Sequence, residues 1–253
     1  MNNEKKFIFT FLNPTEKTPD YIKLCLKTWK KYAPEDYCIV TLDSQNLKNY
    51  ISPELLNKNI TDNISANYSD LICEYIAAAV LYSNGGIFLS PGIIMTDKFS
   101  PPDILLSKFE IVLYGSSKAN PCPGFMMARK SASILEELLR RLIFFTYMPE
   151  PQNYKPLMFL KDMLQEDYST SAVVLDCEES VYLMEKTMYG VSNPYLYKKY
   201  YFSDICSIED FIKTTKGITF LQTTNTPKIY NKMHEDEFLK QDILLSKIFR
   251  VLL

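Results

Sequence analysis

The stretch Tyr68–Gly92, YSDLICEYIAAAVLYSNGGIFLSPG, contains the pattern that decides the fold. Its apolar residues recur at helical spacing and form one continuous stripe, which consists of Leu71, Ile72, Tyr75, Ile76, Ala79 and Val80. Asn84-Gly85-Gly86 predicts the end of this helix, because asparagine and glycine tolerate the left-handed conformation of a C-cap. The run Ile87–Leu89 then predicts a short strand, and Ser90-Pro91-Gly92 predicts a sharp bend. We therefore expect a helix that leads directly into a strand with a turn at its carboxyl end.

A strand, a helix and another strand precede this stretch. Phe7–Leu12 is an apolar run that predicts the first strand. Pro19 marks the start of a helix whose apolar residues recur at helical spacing: Ile22, Leu26 and Trp29. Tyr37–Asp43 predicts the second strand. This order indicates an α/β fold with helices packed on a parallel sheet, and it favours a core position for Trp29 over a sugar-stacking role.

The rest of the chain continues the mixed pattern more weakly. Phe109–Gly115 and Gly124–Arg129 predict strands, while Ser131–Tyr147 and Asp236–Leu253 predict helices. Residues 182–202 are rich in Tyr and Lys, which is compatible with a solvated face or an acceptor surface. We expect one continuous domain, 1–253, with its weakest point at residues 148–156.

Composition excludes several classes of protein. The formal net charge of the 253 residues is -2, so the chain has no general attraction to nucleic acid. The six cysteines are scattered without metal-like spacing, and we expect reduced thiols. The start of the sequence does not resemble a signal peptide, and no apolar run reaches the ~18 residues of a membrane span. These features predict a cytoplasmic location.

Three segments in order resemble the capsular polysaccharide synthesis proteins and related sugar transferases of the GT-A fold. The first is PDYIKLCLKTWKKYAPEDY, residues 19–37, and the second is IVTLDSQN, residues 39–46, with its strand-end Asp43. The third is SDLICEYIAAAVLYSNGGIFLSPG, residues 69–92. The resemblance implies a mixed, mostly parallel sheet flanked by helices, with a ligand cleft at the strand ends. It also implies a nucleotide-sugar-binding half, 1–147, and a less regular acceptor-side half, 148–253.

The resembled enzymes hold a divalent metal against the donor diphosphate with two carboxylates, one residue apart, at a strand end. Oxygen ligands suit Mg or Mn, and the metal offsets the charge of the leaving group. This sequence has Ser90 and Gly92 at those positions, and Cys73 where the family has an arginine. Asp70 retains the position of the helix aspartate. The resemblance thus implies a donor site without its metal pair, and we expect no cofactor unless Glu74, Asp97 or Asp103 supplies ligands to Mn or Mg.

The resemblance implies six donor-binding residues: Phe9, Asp43, Asp70, Ser90, Gly92 and His234. No catalytic residue is assigned. Four of them have a purely structural alternative: Asp70 favours the helix dipole, Ser90 and Gly92 make a tight turn, and His234 is a surface or core residue. Glu74 is expected on a solvated helix face.

Lys228 and Lys232 are candidates to replace the metal's charge, with ordinary surface lysines as the alternative. The apolar C-terminal segment 243–253 is expected to pack as a helix, with contact to a membrane surface as the alternative.

The resemblance implies a bacterial glycosyltransferase that moves a hexose from a nucleotide-sugar donor to a capsular polysaccharide, a lipopolysaccharide or a related glycan. Its partners would be that donor and a glycan or lipid-linked acceptor, at the inner face of the membrane. Two alternatives remain open. One is an inactive homologue that binds sugar nucleotides or serves as a scaffold, and the other is an unrelated small-molecule-binding α/β protein.

Overall fold

The structure is a computed structural model that describes residues 5–12, 18–56, 69–147, 154–176, 181–182, 194–204, 207–215 and 217–253. In these ranges the strands are β1 Lys6–Phe11, β2 Tyr37–Leu42, β3 Gly86–Leu89, β4 Ile93–Met95, β5 Ile111–Ser117, β6 Asn120–Ala128, β7 Ala172–Asp176, β8 Val181–Tyr182 and β9 Ile218–Phe220. The α-helices are α1 Asp20–Tyr32, α2 Ser69–Asn84, α3 Ser133–Thr146, α4 Met158–Gln165, α5 Pro194–Tyr201, α6 Ile208–Thr214, α7 Glu235–Leu239 and α8 Leu244–Leu252.

The chain divides into two compact units that interleave in sequence. The large-sheet unit contains residues 1–16, 35–90 and 101–176, and the small-sheet unit contains residues 17–34, 91–100 and 177–253. The chain passes from the first unit to the second between Ser90 and Pro91. The predicted assignment of residues 1–147 to the donor and 148–253 to the acceptor concerns binding, and it stays a prediction.

The large-sheet unit is built on a six-stranded sheet of order β2-β1-β3-β6-β5-β7. β1 pairs with β2 and β3 in parallel, and β5 pairs with β7 in parallel. β6 is antiparallel to both of its neighbours, β3 and β5. The predicted α/β class, with a mixed and mostly parallel sheet flanked by helices, is confirmed.

One core joins the sheet to α2, α3 and α4. Alternate residues of each strand point to this face, as the pleat of a strand requires, and they include Phe9, Phe11, Val40, Leu42, Ile111 and Leu113. The middle of α2, Ala77–Leu81, is completely or almost completely buried. Small alanine side chains allow the helix to lie close to its neighbours, and burial of this apolar segment stabilises the unit.

The turn between α2 and β3 requires glycine. Gly85 and Gly86 have φ angles of 72° and 104°, in the region that favours glycine. A Cβ on Gly86 would lie 2.6 Å from the carbonyl oxygen of Phe7. The predicted helix end is therefore confirmed, and the glycine allows β3 to enter the sheet directly beside β1.

The small-sheet unit contains a three-stranded sheet of order β4-β9-β8 and the helix α1. Trp29 of α1 is completely buried, and its indole N–H donates a hydrogen bond of 2.6 Å to the carbonyl oxygen of Ile93. The predicted core position of Trp29 is thus confirmed. Ile87–Leu89 and Ile93–Met95, which flank the Pro-Gly bend, belong to different sheets.

The C-terminal segment differs from its prediction in one respect. The expected continuous helix 236–253 is two helices, α7 and α8, separated by residues 240–243. The Ser246 hydroxyl donates to the Phe238 carbonyl oxygen at 2.6 Å and ties the two helices together. The apolar face of α8 is buried, as expected of a packing helix. In the part of the chain that the structure describes, no helix has the length and apolar character needed to cross a bilayer.

Candidate donor site

The candidate site lies at the carboxyl edge of the large sheet, where three neighbouring parallel strands end. β2, β1 and β3 run in the same direction, so the residues that follow them reach the same edge. The Leu12 N–H donates to the Leu42 carbonyl oxygen at 2.9 Å and extends the β1–β2 pairing to this edge. Asp43 and Ser90 come directly after β2 and β3. In open α/β sheets, this edge is where ligands bind.

Asp43 forms a turn with Asn46. Asp43 Oδ1 accepts hydrogen bonds from the backbone N–H groups of Gln45 and Asn46, at 2.8 and 3.0 Å. The Asn46 side chain makes two further hydrogen bonds, both of 2.9 Å. Its Oδ1 accepts from the Asp43 N–H, and its Nδ2 donates to the Thr41 carbonyl oxygen. The two side chains fix the backbone at the end of β2. A donor contact by Asp43 stays a prediction.

The Phe9 side chain does not reach the surface. It is completely buried, its ring stacks on Phe7 at 5.3 Å between centroids, and it meets Tyr50 edge-on at 5.7 Å. Phe9 therefore contributes to the core of the large-sheet unit. Any contact between Phe9 and a donor would have to use its backbone.

Asp70 is exposed in the first turn of α2. Since α2 leads into the amino end of β3 through the Gly85-Gly86 turn, the beginning of the helix lies toward the carboxyl edge of the sheet. Among the described residues, no hydrogen bond or ion pair engages the Asp70 carboxylate. It remains accessible to a ligand that carries hydroxyl or N–H donors.

Cys73, which the resemblance places where the family has an arginine, supplies no positive charge. Burial, and secondarily the charge of Asp70, raises the pKa of the Cys73 thiol to about 11. The thiol therefore stays protonated at neutral pH, and it is neither a nucleophile nor a metal ligand there.

The prediction that Glu74 lies on a solvated helix face is wrong. Its exposed fraction is 7%, and its Oε2 accepts hydrogen bonds from the Tyr154 hydroxyl and from the Leu157 N–H, the latter at 2.7 Å. The error arose because helical spacing gives the direction of a side chain but not what a distant segment places over it. A carboxyl enclosed in this way is not a suitable ligand for a metal at the donor.

Ser90 continues β3 at the candidate edge. Its N–H donates to the Gly124 carbonyl oxygen at 2.8 Å, which extends the β3–β6 pairing by one residue. The residue is half-buried, and its hydroxyl has no hydrogen-bond partner among the described residues. That hydroxyl is able to donate to a phosphate or ribose oxygen.

Gly92 lies in the small-sheet unit and has no room for a side chain. A Cβ there would lie 2.5 Å from Cγ2 of Thr223. The Gly92 carbonyl oxygen accepts a hydrogen bond of 2.9 Å from the Leu221 N–H, which holds the turn against the end of β9. Packing within this unit thus occupies the space that a side chain at position 92 would need.

The two remaining candidate metal ligands are placed elsewhere. Asp103 accepts from Lys6 at 2.5 Å and from the Tyr37 hydroxyl. Lys6 and Tyr37 begin β1 and β2, so Asp103 lies at the amino edge of the sheet, ~17 Å along β1 from the candidate site. Asp97 is exposed in the turn after β4, in the small-sheet unit. Among the described residues, no group of three or more His, Cys, Asp and Glu side chains is arranged to hold a metal ion.

The candidate cations belong to the small-sheet unit. His234 precedes α7 and is 88% exposed, with its Nδ1 3.7 Å from Asp20 Oδ2. The hydrogen bond from Lys23 lowers the pKa of Asp20, so this carboxyl is charged at neutral pH. Lys228 and Lys232 are exposed, and the structure describes no ion pair for either. Their roles toward a diphosphate stay predictions.

Sequence reasoning missed three residues that shape these positions. Tyr154 covers Glu74, Thr223 fills the space beside Gly92, and Gly124 accepts from Ser90. None carries a local signal, because each acts through a contact with a segment distant in the chain.

Comparison with known structures gives the class of the fold. The apo form of the glycosyltransferase GlyE from Streptococcus pneumoniae TIGR4 matches with a TM-score of 0.52 and 12% identity, over 98% of this chain and 60% of that chain. A second GlyE structure matches with a TM-score of 0.48 and 10% identity, over 98% and 60%. A glycosyltransferase involved in the glycosylation of the major capsid of PBCV-1 matches with a TM-score of 0.47 and 9% identity, over 89% and 97%. The predicted GT-A type of fold is confirmed.

The family is also shown. The model of the capsular polysaccharide synthesis protein family matches residues 1–233, and the chain therefore belongs to this family. No curated protein matches it. The chain spans 60% of the length of GlyE.

Proposed function

We propose that this protein is a glycosyltransferase that moves a hexose from a nucleotide-sugar donor to a capsular polysaccharide, a lipopolysaccharide or a related surface glycan. The observation that carries the proposal is the edge where β1, β2 and β3 end, with Asp70 and Ser90 accessible, in a chain of the capsular polysaccharide synthesis family. The donor would bind at this edge, as ligands do in open α/β sheets.

The two accessible side chains have complementary chemistry toward a nucleotide sugar. The Asp70 carboxylate accepts hydrogen bonds, which suits the hydroxyl and N–H groups of a ribose or a base. The Ser90 hydroxyl donates, which suits an oxygen of the diphosphate or the ribose. Asp43 fixes the turn that follows β2, because its Oδ1 accepts from the N–H groups of Gln45 and Asn46.

The donor site would operate without a divalent metal. Ser90 and Gly92 lack carboxylates, and Gly92 faces Thr223 at a distance that leaves no space for one. The charge that builds on the leaving diphosphate would be met by backbone N–H groups, by the Ser90 hydroxyl and by cations such as Lys228, Lys232 or His234. Transfer should then be slow relative to enzymes with an intact acidic pair, because a metal is the largest local positive charge in such sites.

The acceptor would be a glycan or a lipid-linked sugar, bound by residues of the second half of the chain, 148–253. A cytoplasmic location at the inner face of the membrane would bring nucleotide sugars and a lipid-linked acceptor together. Peripheral contact of this kind needs no membrane-spanning helix.

The test measures binding of a panel of UDP-, GDP- and CMP-sugars to the protein. The readout is the shift in melting temperature, with and without EDTA. We expect one nucleotide class to raise the melting temperature, with no effect of EDTA. Asp70→Ala should abolish the shift, whereas Asp167→Ala, an exposed aspartate in a turn of the same unit, should leave it unchanged.

The other outcomes separate the alternatives. Strong dependence on Mn or Mg in the unmodified protein would contradict the metal-free site. Binding without hydrolysis or transfer of the sugar would support an inactive homologue that binds donors. No shift with any nucleotide would overturn the donor site and leave a scaffold role.

A further inference from the structure

A buried carboxyl joins α2 to the segment that begins α4. Glu74 is the fourth residue after Asp70 and lies one turn further along α2. Its Oε2 accepts from the Tyr154 hydroxyl and, at 2.7 Å, from the Leu157 N–H. Leu157 is the N-cap residue of α4. One oxygen atom of Glu74 thus holds both ends of the segment Tyr154–Leu157.

The segment is held in a conformation that its sequence does not favour. Leu157 has a φ angle of 59°, in the left-handed region that leucine seldom adopts. Its side chain is buried in the core, and its N–H points at Glu74. A strained backbone persists only where its surroundings over-determine it. The Glu74 contact is one of the interactions that fix this conformation.

The second oxygen of Glu74 is buried and unpaired. In the described part of the chain, Oε1 has no hydrogen-bond partner. A buried oxygen without a partner is costly when it carries charge, because no donor replaces the lost water. The closed arrangement therefore favours the protonated acid, and opening the segment would admit water to Oε1.

Some of the charged and titratable groups around Glu74 raise its pKa, and others lower it. The pKa of Glu74 is raised from 4.5 to about 7 overall; burial is the main cause of the rise, and the charge of Asp70 on the same helix contributes to it. The bonds from Tyr154 and Leu157 lower the pKa, as does the charge of Lys161 on α4. Burial is the largest of these effects, so the proton affinity of Glu74 depends on whether the segment stays closed over it.

We propose that Glu74 is a proton-dependent positioning residue: the protonated carboxyl holds Tyr154–Leu157 against α2, and loss of the proton favours release of this segment. Release would uncover the helix face one turn from Asp70. Where it concerns donor binding, the inference rests on the proposed function. Because coupling between two sites is reciprocal, any ligand that neutralises Asp70 weakens the hold of Glu74 on its proton.

The direct test needs no donor. Hydrogen exchange at the Leu157 amide is followed from about pH 4.5 to about pH 8.5 and corrected for the intrinsic exchange rate. The opening equilibrium should rise about tenfold per pH unit between the two pKa values of Glu74, to a total of up to ~300-fold, and then level off. In Glu74→Gln the amide should stay protected with no such rise, since the amide side chain does not ionise. Glu136→Gln, an exposed glutamate of α3, should behave like the unmodified protein.

Two further variants predict shifts of opposite sign, which a purely structural role would not produce. Asp70→Asn removes a charge that raises the pKa of Glu74, so the plateau should begin at lower pH. Tyr154→Phe removes a bond that lowers it, so the plateau should begin at higher pH. They also keep the proposal testable if Glu74→Gln does not fold.

An identical pH dependence in Glu74→Gln and the unmodified protein would overturn the proposal, as would shifts of the same sign in these two variants. A second arm measures nucleotide-sugar affinity over the same pH range. If the exchange results hold and no donor binds, the positioning role stands and the transferase proposal fails. If a donor binds and the Leu157 amide shows no pH-dependent opening, the positioning role fails and the donor site stands.

Discussion

The first turns of α2 and the turn after β3 both contain two positions that are close in sequence but differ in their access to solvent. Asp70 and Glu74 are four residues apart on one helix, yet Asp70 is exposed and Glu74 is buried under Tyr154. Ser90 and Gly92 are separated by one proline, yet the Ser90 hydroxyl is unengaged among the described residues, whereas Gly92 faces a methyl group of Thr223. In each region one position is accessible to a ligand and its neighbour is enclosed. Proximity in sequence does not determine the environment of a side chain, because distant segments cover one position and leave the other uncovered.

The largest expected effect concerns the enclosed acid of α2. The folded-state pKa of Glu74, about 7, lies above its ordinary value of 4.5. Between these values the folded protein binds a proton that the unfolded chain releases, so the free energy of unfolding falls as pH rises. The loss attributable to Glu74 is ~3 kcal/mol, complete above about pH 7.

Urea denaturation at several pH values measures this loss as a difference between two proteins. The unmodified protein and Glu74→Gln should diverge between about pH 4.5 and about pH 7 and then run parallel. Glu136→Gln is the control for loss of an exposed carboxylate on a helix. Parallel curves over the whole range would show that Glu74 ionises normally.

The second largest effect on the free energy of unfolding is expected at Gly92, the enclosed position of the turn after β3. Gly92→Asp places a Cβ 2.5 Å from Thr223 Cγ2, and the neighbouring segment must shift. We expect a loss of ~2 kcal/mol in the free energy of unfolding, typical of overpacking. Thr223→Ala removes the opposing methyl group and should recover part of it.

A double-mutant cycle of Gly92→Asp and Thr223→Ala checks this contact by denaturation. Ser90→Asp is the matched control, since it introduces the same carboxylate at the accessible end of the turn and should cost less than ~0.5 kcal/mol. Additive losses in the cycle would mean that the two side chains do not compete for one space.

Asp70 should matter little to stability and much to binding. Asp70→Asn removes a negative charge from the first turn of α2, worth up to ~1 kcal/mol at low ionic strength and less in salt. The expected loss in nucleotide-sugar affinity is at least about tenfold, that of a charge-assisted hydrogen bond. Isothermal titration and denaturation of the same sample separate the two effects, and a stability loss equal to that of Gly92→Asp would assign Asp70 a structural role instead.

The smallest effect is expected at Ser90. Ser90→Ala removes a hydroxyl that bonds to no described residue, and the N–H bond to Gly124 is retained. The melting temperature should be unchanged, with a stability difference below ~0.5 kcal/mol. A several-fold weaker donor affinity would assign the hydroxyl to the phosphate or ribose, and an unchanged affinity would leave Ser90 as a turn residue.

Much of the architecture was predictable from local patterns. The apolar stripe of α2, its glycine stop and the strand at Ile87 were all correct, because periodicity and backbone freedom are properties of neighbouring residues. The division of 236–253 into α7 and α8 was missed, since both halves have helical patterns and the break depends on how α8 packs. The location of Asp103 at the amino edge of the large sheet also required the structure, because the sequence does not show that Asp103 contacts Lys6 and Tyr37.

The sequence by itself determined the α/β class, the helix–strand–turn frame of residues 69–92 and the absence of a carboxylate at Ser90 and Gly92. Only the tertiary structure decided which of these positions are accessible. Glu74 contacts Tyr154, 80 residues away, and Gly92 lies against Thr223, about half of the chain length away. Secondary structure follows from interactions within a few residues, which a sequence displays directly. Burial, and with it the proton affinity of Glu74 and the absence of space at Gly92, depends on which distant segments pack together.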